Sequence, residues 1–140
     1  MMNFEGRQAV KSYQTVGAHA HVAAADPYKL VQLMFTNVAE RLAVARGHLE
    51  RGEIARKGEQ ISKAIAVLNA LDGSLNMTEG GEIAKNLHDL YGYMVLRLVK
   101  ANAENDASGF DEVGALMRNI KEGWDGIADQ ARASSPAANP

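Results

Sequence analysis

Apolar residues recur at intervals of three and four along most of the chain, which is the spacing of one face of an α-helix. Four long segments carry this pattern, and residues 6–16 carry a weaker one. No stretch alternates β-branched or aromatic residues as a strand would. The pattern therefore predicts an all-α protein with four apolar helix faces: Leu30, Met34, Val38, Leu42, Ala45 and Leu49; Ile54, Ile61, Ala64, Leu68, Leu71 and Leu75; Ile83, Leu87, Leu90, Met94, Leu98 and Ala101; Phe110, Val113, Met117, Ile120, Trp124 and Ile127.

The helix boundaries are marked by turn and capping residues. Asp26 is a good N-cap, and Pro27 suits the first helical position. Ser108, with Asp111 three residues later, resembles a capping box and predicts the start of the last helix. Short links between the segments favour an antiparallel, up-down-up-down four-helix bundle over residues 26–130. A short N-terminal cap helix and loop are predicted over residues 1–25, and a disordered tail over residues 131–140.

Composition narrows the range of functions. The chain has 140 residues, no cysteine and a net charge of -2. Disulfides and thiol nucleophiles are therefore absent, and the charge lacks the basic excess of a nucleic-acid-binding protein. The longest apolar run, Ala64–Leu68, is too short to span a membrane. The N-terminus does not resemble a signal peptide. We expect a cytoplasmic protein with no nucleic-acid or membrane partner.

No group of residues predicts catalysis or metal binding. None of the four histidines follows a glutamate by three residues, as a di-iron bundle requires. His19 and His21 form an isolated H-x-H pair in a predicted loop, and a metal site needs further ligands. The Gly80-Gly81 pair has neither a preceding strand nor a following lysine, so it is not a phosphate-binding loop. The sequence predicts no enzyme, no metal and no cofactor.

The third long segment, which carries Ile83 to Ala101, has more apolar surface than one helix face needs. Beside its main face runs a second stripe formed by Ala84, Tyr91, Val95 and Leu98. The start of the first long segment, Leu30–Phe35, shows the same excess. One interpretation is a wide core within the chain, and the other is a groove for an amphipathic partner helix. The pattern alone leaves both open.

The stretch GGEIAKNLHDLYGYMVLRLVKAN, residues 80–102, resembles the signature of the flagellar export chaperone family. The glycine pair, NL, LY, YM, RL and AN stand at the offsets of that family. Tyr13-Gln14, Pro27 and Trp124 fit as well, and the resemblance extends over roughly residues 10–127. Phe35 and Asn76 depart from the pattern, since tyrosine and aspartate are common there.

The resemblance implies a non-enzymatic helical bundle that binds the C-terminal segment of flagellin and prevents its premature polymerisation. It also implies delivery of flagellin to the export apparatus, with an export-gate component and a flagellar regulatory protein as further candidate partners. The residues 3–16 are expected to cover the flagellin groove in the free protein. Candidate groove residues are Tyr13, Leu30, Leu33, Met34, Ile65, Tyr91, Val95 and Leu98.

Two competing hypotheses remain beside the resemblance. One is an interaction module that dimerises through the apolar stripe. The other is a bundle that binds a metal or a small ligand.

Overall fold

The computed structural model describes the backbone of residues 26–134 and the side chains of residues 26–76 and 80–126. It contains four helices: α1 (Pro27–Glu50), α2 (Ile54–Gly73), α3 (Met77–Glu104) and α4 (Ala107–Ser134). The prediction of an all-α protein is confirmed. The short helix and loop predicted over residues 1–25 lie outside the described residues.

The first helix begins where the sequence predicts. The Asp26 carboxylate accepts hydrogen bonds from the backbone N–H groups of Tyr28 (3.1 Å) and Lys29 (3.2 Å). These two groups have no partner inside the helix, so the side chain satisfies them. The helix ends at Glu50, and Gly52 follows with a positive φ of 73° that glycine adopts without strain.

The last helix begins differently from the prediction. Asp106, not Ser108, is the capping residue, because its carboxylate accepts from the Ser108 backbone N–H (3.0 Å) and hydroxyl (2.7 Å). The Asp111 side chain is hydrogen-bonded to Arg46 on α1 and does not close a capping box. At the other end, α4 continues to Ser134, so residues 131–134 are helical and not part of a disordered tail. Residues 135–140 lie outside the described part.

Contacts between distant residues define the topology. Each helix packs against two neighbours, α1 and α3 each lying between α2 and α4. Polar pairs run in opposite order along α1 and α4 and along α2 and α3, so these neighbours are antiparallel: Gln32–Asp125, Arg46–Asp111, Lys57–Asn102 and Asp72–His88. The predicted up-down-up-down bundle is confirmed.

The core is a single apolar cluster along the bundle axis. Its largest fully buried side chains are Phe35, Phe110, Leu42, Ile61, Leu68, Leu71, Met94, Leu98, Met117, Val38 and Val113. All of them fall on the predicted helix faces except Phe35, which lies beside the predicted face of α1.

The second half of α3 packs on the core through the predicted residues, Met94, Leu98 and Ala101, whereas the core-facing side of its first half is rotated from the predicted one. Ala84 and Tyr91, assigned to the surplus stripe, are buried, as is Leu98. Ile83, assigned to the core face, has 65% of its surface exposed. Surplus apolar surface does exist on this helix, but other residues form it: Ile83, Tyr93, Leu96 and Val99.

Two glycines are required by the backbone around α3. Gly81 has φ 54° and ψ -131°, a conformation that residues with a side chain rarely adopt, and it breaks the helix near its start. Gly109 lies where α3 and α4 approach most closely, because an added Cβ would be 2.4 Å from the Ala101 Cβ. These positions fix the ends of α3 relative to the bundle.

Candidate functional site

An apolar groove of about 590 Å³ lies at the end of the bundle where α1 and α3 begin and α2 and α4 end. All four helices contribute to its walls. Its lining residues are Val31, Phe35, Leu71, Ser74, Leu75, Asn76, Gly80, Ile83, Ala84, Leu87, Tyr91, Asn119, Ile120, Gly123 and Trp124. Most of these side chains are apolar, so the groove suits an apolar or amphipathic occupant.

One wall of the groove is an aromatic cluster around Trp124. Its indole ring lies 5.4 Å from the Tyr28 ring and meets the Phe35 ring edge-on at 6.1 Å, between ring centroids. The indole N–H donates to the Tyr28 carbonyl over 3.1 Å. These contacts fix the ring orientation, since both the apolar face and the polar N–H have partners. Gln32 donates to Asp125 over 2.6 Å and joins the same two helix ends.

The opposite wall is the first half of α3. Tyr91 is 3% exposed and Ala84 is 4% exposed, whereas Ile83 stands at the open edge of the groove. A polar pair, between Asp72 and His88 Nδ1 at 2.6 Å, joins this half of α3 to α2. The hydrogen bond that His88 donates to the Asp72 carboxylate raises the pKa of His88 above its usual value. The pair is exposed, so it contributes little to stability.

A second, shallower depression of about 340 Å³ lies between α1 and α4. Phe35 lines both depressions, and Ala39 and Met117 complete the apolar floor of the second. Arg118 and Lys121 stand at its edge. Its small apolar area and charged edge make it a poorer docking surface than the groove.

The candidate residues named from the sequence are dispersed in the structure. Tyr13 lies outside the described residues, and only Tyr91 among the other seven lines the groove. Met34 (5% exposed) and Leu98 (0% exposed) belong to the core. The remaining four are half-buried: Leu30, Leu33, Ile65 and Val95. Their binding role stays a prediction.

The groove contains residues that sequence reasoning did not select for it. Ile83, Leu87, Ile120 and Trp124 were assigned to core faces and instead line the groove. Periodicity identified them as apolar but not as accessible, since it cannot locate the end of a bundle where the helices separate. The one usable signal was Trp124, the single tryptophan of the chain, near the end of its last helix.

The described residues also bear on metal binding and membrane insertion. No group of three or more His, Asp or Glu side chains there is arranged to hold a metal ion. His19 and His21 lie outside the described part of the chain. No described helix combines the length and hydropathy that crossing a membrane requires.

Comparison with known proteins gives a consistent result. Residues 9–131 match the family model described as flagellar protein FliS. The chain is 49% identical over 121 residues to the flagellar secretion chaperone FliSB of Pseudomonas aeruginosa, an alignment that covers 86% of this chain and 96% of the relative.

Two further relatives carry the name flagellar secretion chaperone FliS. The one from Salmonella typhimurium is 42% identical over 123 residues, covering 87% of this chain and 91% of its own length. The one from Bacillus subtilis is 26% identical over 116 residues, covering 83% of this chain and 86% of its own length.

Proposed function

The chain belongs to the FliS family of flagellar secretion chaperones, and from this premise we propose that it binds the C-terminal segment of flagellin in the apolar groove. Binding takes place in the cytoplasm, before export, and keeps flagellin from polymerising. The family assignment also confirms the prediction that the chain is not an enzyme.

The apolar character of the groove supports this proposal. An amphipathic helix docks by placing its apolar face in such a groove, with anchors at helical spacing. Exposed apolar residues at the edge, above all Ile83, add contact area that the free protein leaves in water. A segment that folds on binding loses affinity to its own ordering, which suits a chaperone that must release its client.

The substitution Ile83→Ser tests the groove directly. Ile83 is 65% exposed, so its replacement should leave the urea midpoint of the free protein nearly unchanged. Burial of its side chain by a client would contribute roughly 1.5–3 kcal/mol, or about 10- to 100-fold in Kd. Isothermal titration calorimetry with a flagellin C-terminal fragment measures this difference.

Leu96→Ser is the matched control, since Leu96 is 72% exposed on the same helix and does not line the groove. It should bind the fragment as the wild type does. Equal weakening by both substitutions would show that the groove is not the docking site. Failure of the wild type to bind the fragment at all would refute the functional proposal.

The N-terminal segment remains part of the proposal as a cover for the groove. Residues 1–25 join the bundle at Asp26, five positions before Val31, which lines the groove. A segment tethered this close competes with the client at high effective concentration. Removal of residues 1–16 should therefore lower the Kd of the flagellin fragment, and a raised Kd would show instead that the segment contacts the client.

The competing function is an interaction module that dimerises through the outer face of α3, where Leu96 and Val99 are exposed. Size-exclusion chromatography separates the two proposals. A dimer that is unaffected by flagellin and is lost in Leu96→Ser favours the module. An export-gate component and a flagellar regulatory protein remain candidate partners through the family resemblance alone.

A further inference from the structure

The Tyr91 hydroxyl belongs to a buried side chain of the groove. The side chain is 3% exposed, and it lines the groove from the first half of α3. Within the part of the chain that the structure describes, no group forms a hydrogen bond with this hydroxyl. Buried polar groups in folded proteins almost always have a partner, because an unpaired one loses its bonds to water without compensation. An unpaired hydroxyl beside an open groove therefore points to a partner supplied from outside the bundle.

Tyr93, two positions along the same helix, shows the ordinary arrangement. Its ring is half-exposed, and its hydroxyl donates to the Glu112 carboxylate on α4. Tyrosine hydroxyls on this helix thus find partners where the bundle provides them. The difference at Tyr91 lies in its position, since the groove that it lines is mostly apolar, with Phe35, Leu71 and Leu87 among its lining residues.

The surroundings also restrict the chemistry of the missing partner. Burial, together with the nearby Asp72 carboxylate, raises the pKa of Tyr91, so the phenol stays protonated and can donate. Asp72 itself is already hydrogen-bonded to His88. A charged partner would lose its hydration in this apolar setting without a free counter-ion beside it. An uncharged hydrogen-bonding group fits the site best.

We propose that Tyr91 is a specificity-determining residue whose hydroxyl forms a hydrogen bond with an uncharged polar side chain of the bound flagellin segment. The inference rests on the proposed function and adds a buried polar contact to a mostly apolar groove. A single such bond sets the register of an amphipathic helix, because sliding by one turn would leave both polar groups unpaired. The partner belongs to the class of asparagine, glutamine, serine and threonine side chains.

The test is Tyr91→Phe, which removes one oxygen and keeps the ring, with Tyr93→Phe as the matched control. Titration calorimetry with a flagellin C-terminal fragment should show binding about 3- to 10-fold weaker for Tyr91→Phe and unchanged for Tyr93→Phe. The free Tyr91→Phe protein should melt at or above the wild-type temperature, since no bond is lost. Alanine replacement of each asparagine, glutamine, serine and threonine of the fragment then identifies the partner, whose effect disappears in Tyr91→Phe.

The outcomes distinguish the role of the Tyr91 hydroxyl from the proposed function itself. Equal affinity of wild type and Tyr91→Phe for the fragment overturns the role of the hydroxyl and leaves the proposed function intact. A lower melting temperature for free Tyr91→Phe overturns it as well, because the hydroxyl would then already have a partner. Failure of the wild type to bind the fragment overturns both.

Discussion

Lys57 offers the sharpest test of how the bundle holds α3 in place. It lies in the first turn of α2 and is 3% exposed. Its ammonium group donates to the Asn102 carbonyl (2.8 Å) and to the Asn102 side-chain oxygen (2.7 Å), near the end of α3. No carboxylate of the described residues forms an ion pair with it. Burial lowers the pKa of Lys57, which shows that the charge is held at a cost.

The substitution Lys57→Met separates the charge from the apolar stem. Removal of the ammonium relieves its desolvation but leaves the Asn102 side-chain oxygen without its donor, whereas the Asn102 carbonyl still accepts from the Asn105 backbone N–H (3.4 Å). A buried acceptor left unpaired costs roughly 1–3 kcal/mol, and water can reach the half-buried Asn102, so the lower end applies. With the desolvation relief set against the weakened carbonyl contact, we expect a net loss of about 1 kcal/mol of unfolding free energy.

Lys57→Ala adds the loss of the stem. Removal of three buried methylenes costs roughly 2.4 kcal/mol at about 0.8 kcal/mol each, so the total should reach about 3–4 kcal/mol. Urea unfolding followed by circular dichroism at the helix band measures both values. Lys63→Met, on the same helix with half of its side chain exposed, is the control and should change stability by less than about 0.5 kcal/mol. A Lys57→Met protein more stable than the wild type would refute the view that Asn102 depends on this donor.

Two further predictions concern the core and the acid limit of stability. Leu98→Ser should lower the unfolding free energy, measured in urea, by about 3–5 kcal/mol, because Leu98 is fully buried. A Leu98→Ser protein that is as stable as the wild type but no longer binds flagellin would show instead that Leu98 contacts the client. Hydrogen bonds from His48 and Arg51 lower the pKa of Glu53 to about 2. The stabilisation is therefore present above the usual pKa of 4.5 and is lost as the pH falls through about 2. Between those pH values the melting temperature of Glu53→Gln should depend less on pH than that of the wild type. An equal pH dependence in both proteins would contradict the assignment of this stabilisation to Glu53.

Helix identity and helix starts could be predicted because they depend on neighbouring residues. The Asp26 cap followed from the residue and the proline after it, and the structure contains that cap. The start of α4 was displaced because Asp106 and Ser108 are both good caps, and the sequence does not say which one the turn will use. Asn105, with φ 54°, completes that turn and selects Asp106.

The core-facing side of the first half of α3 could not be predicted, for a different reason. Its two apolar stripes are similar in strength, so periodicity gives no preference between Ile83 and Ala84 as the residue facing the core. Packing against residues far apart in sequence decides, and it buries Ala84 and Tyr91 and leaves Ile83 exposed. The groove could not be predicted from the sequence for the same reason, because it forms only where the ends of four helices separate.

The two halves of α3 are held in different ways. The second half is fixed by polar contacts to both neighbours, from Asn102 to Lys57 on α2 and from Arg97 to Glu112 on α4 at 2.9 Å. The first half has the exposed Asp72–His88 pair and the groove. Polar contacts give a helix a fixed register, whereas an apolar wall gives an occupant contact area without demanding a particular position. The register of a bound segment would then depend on the rare polar group within the wall, which on this helix is the hydroxyl of Tyr91.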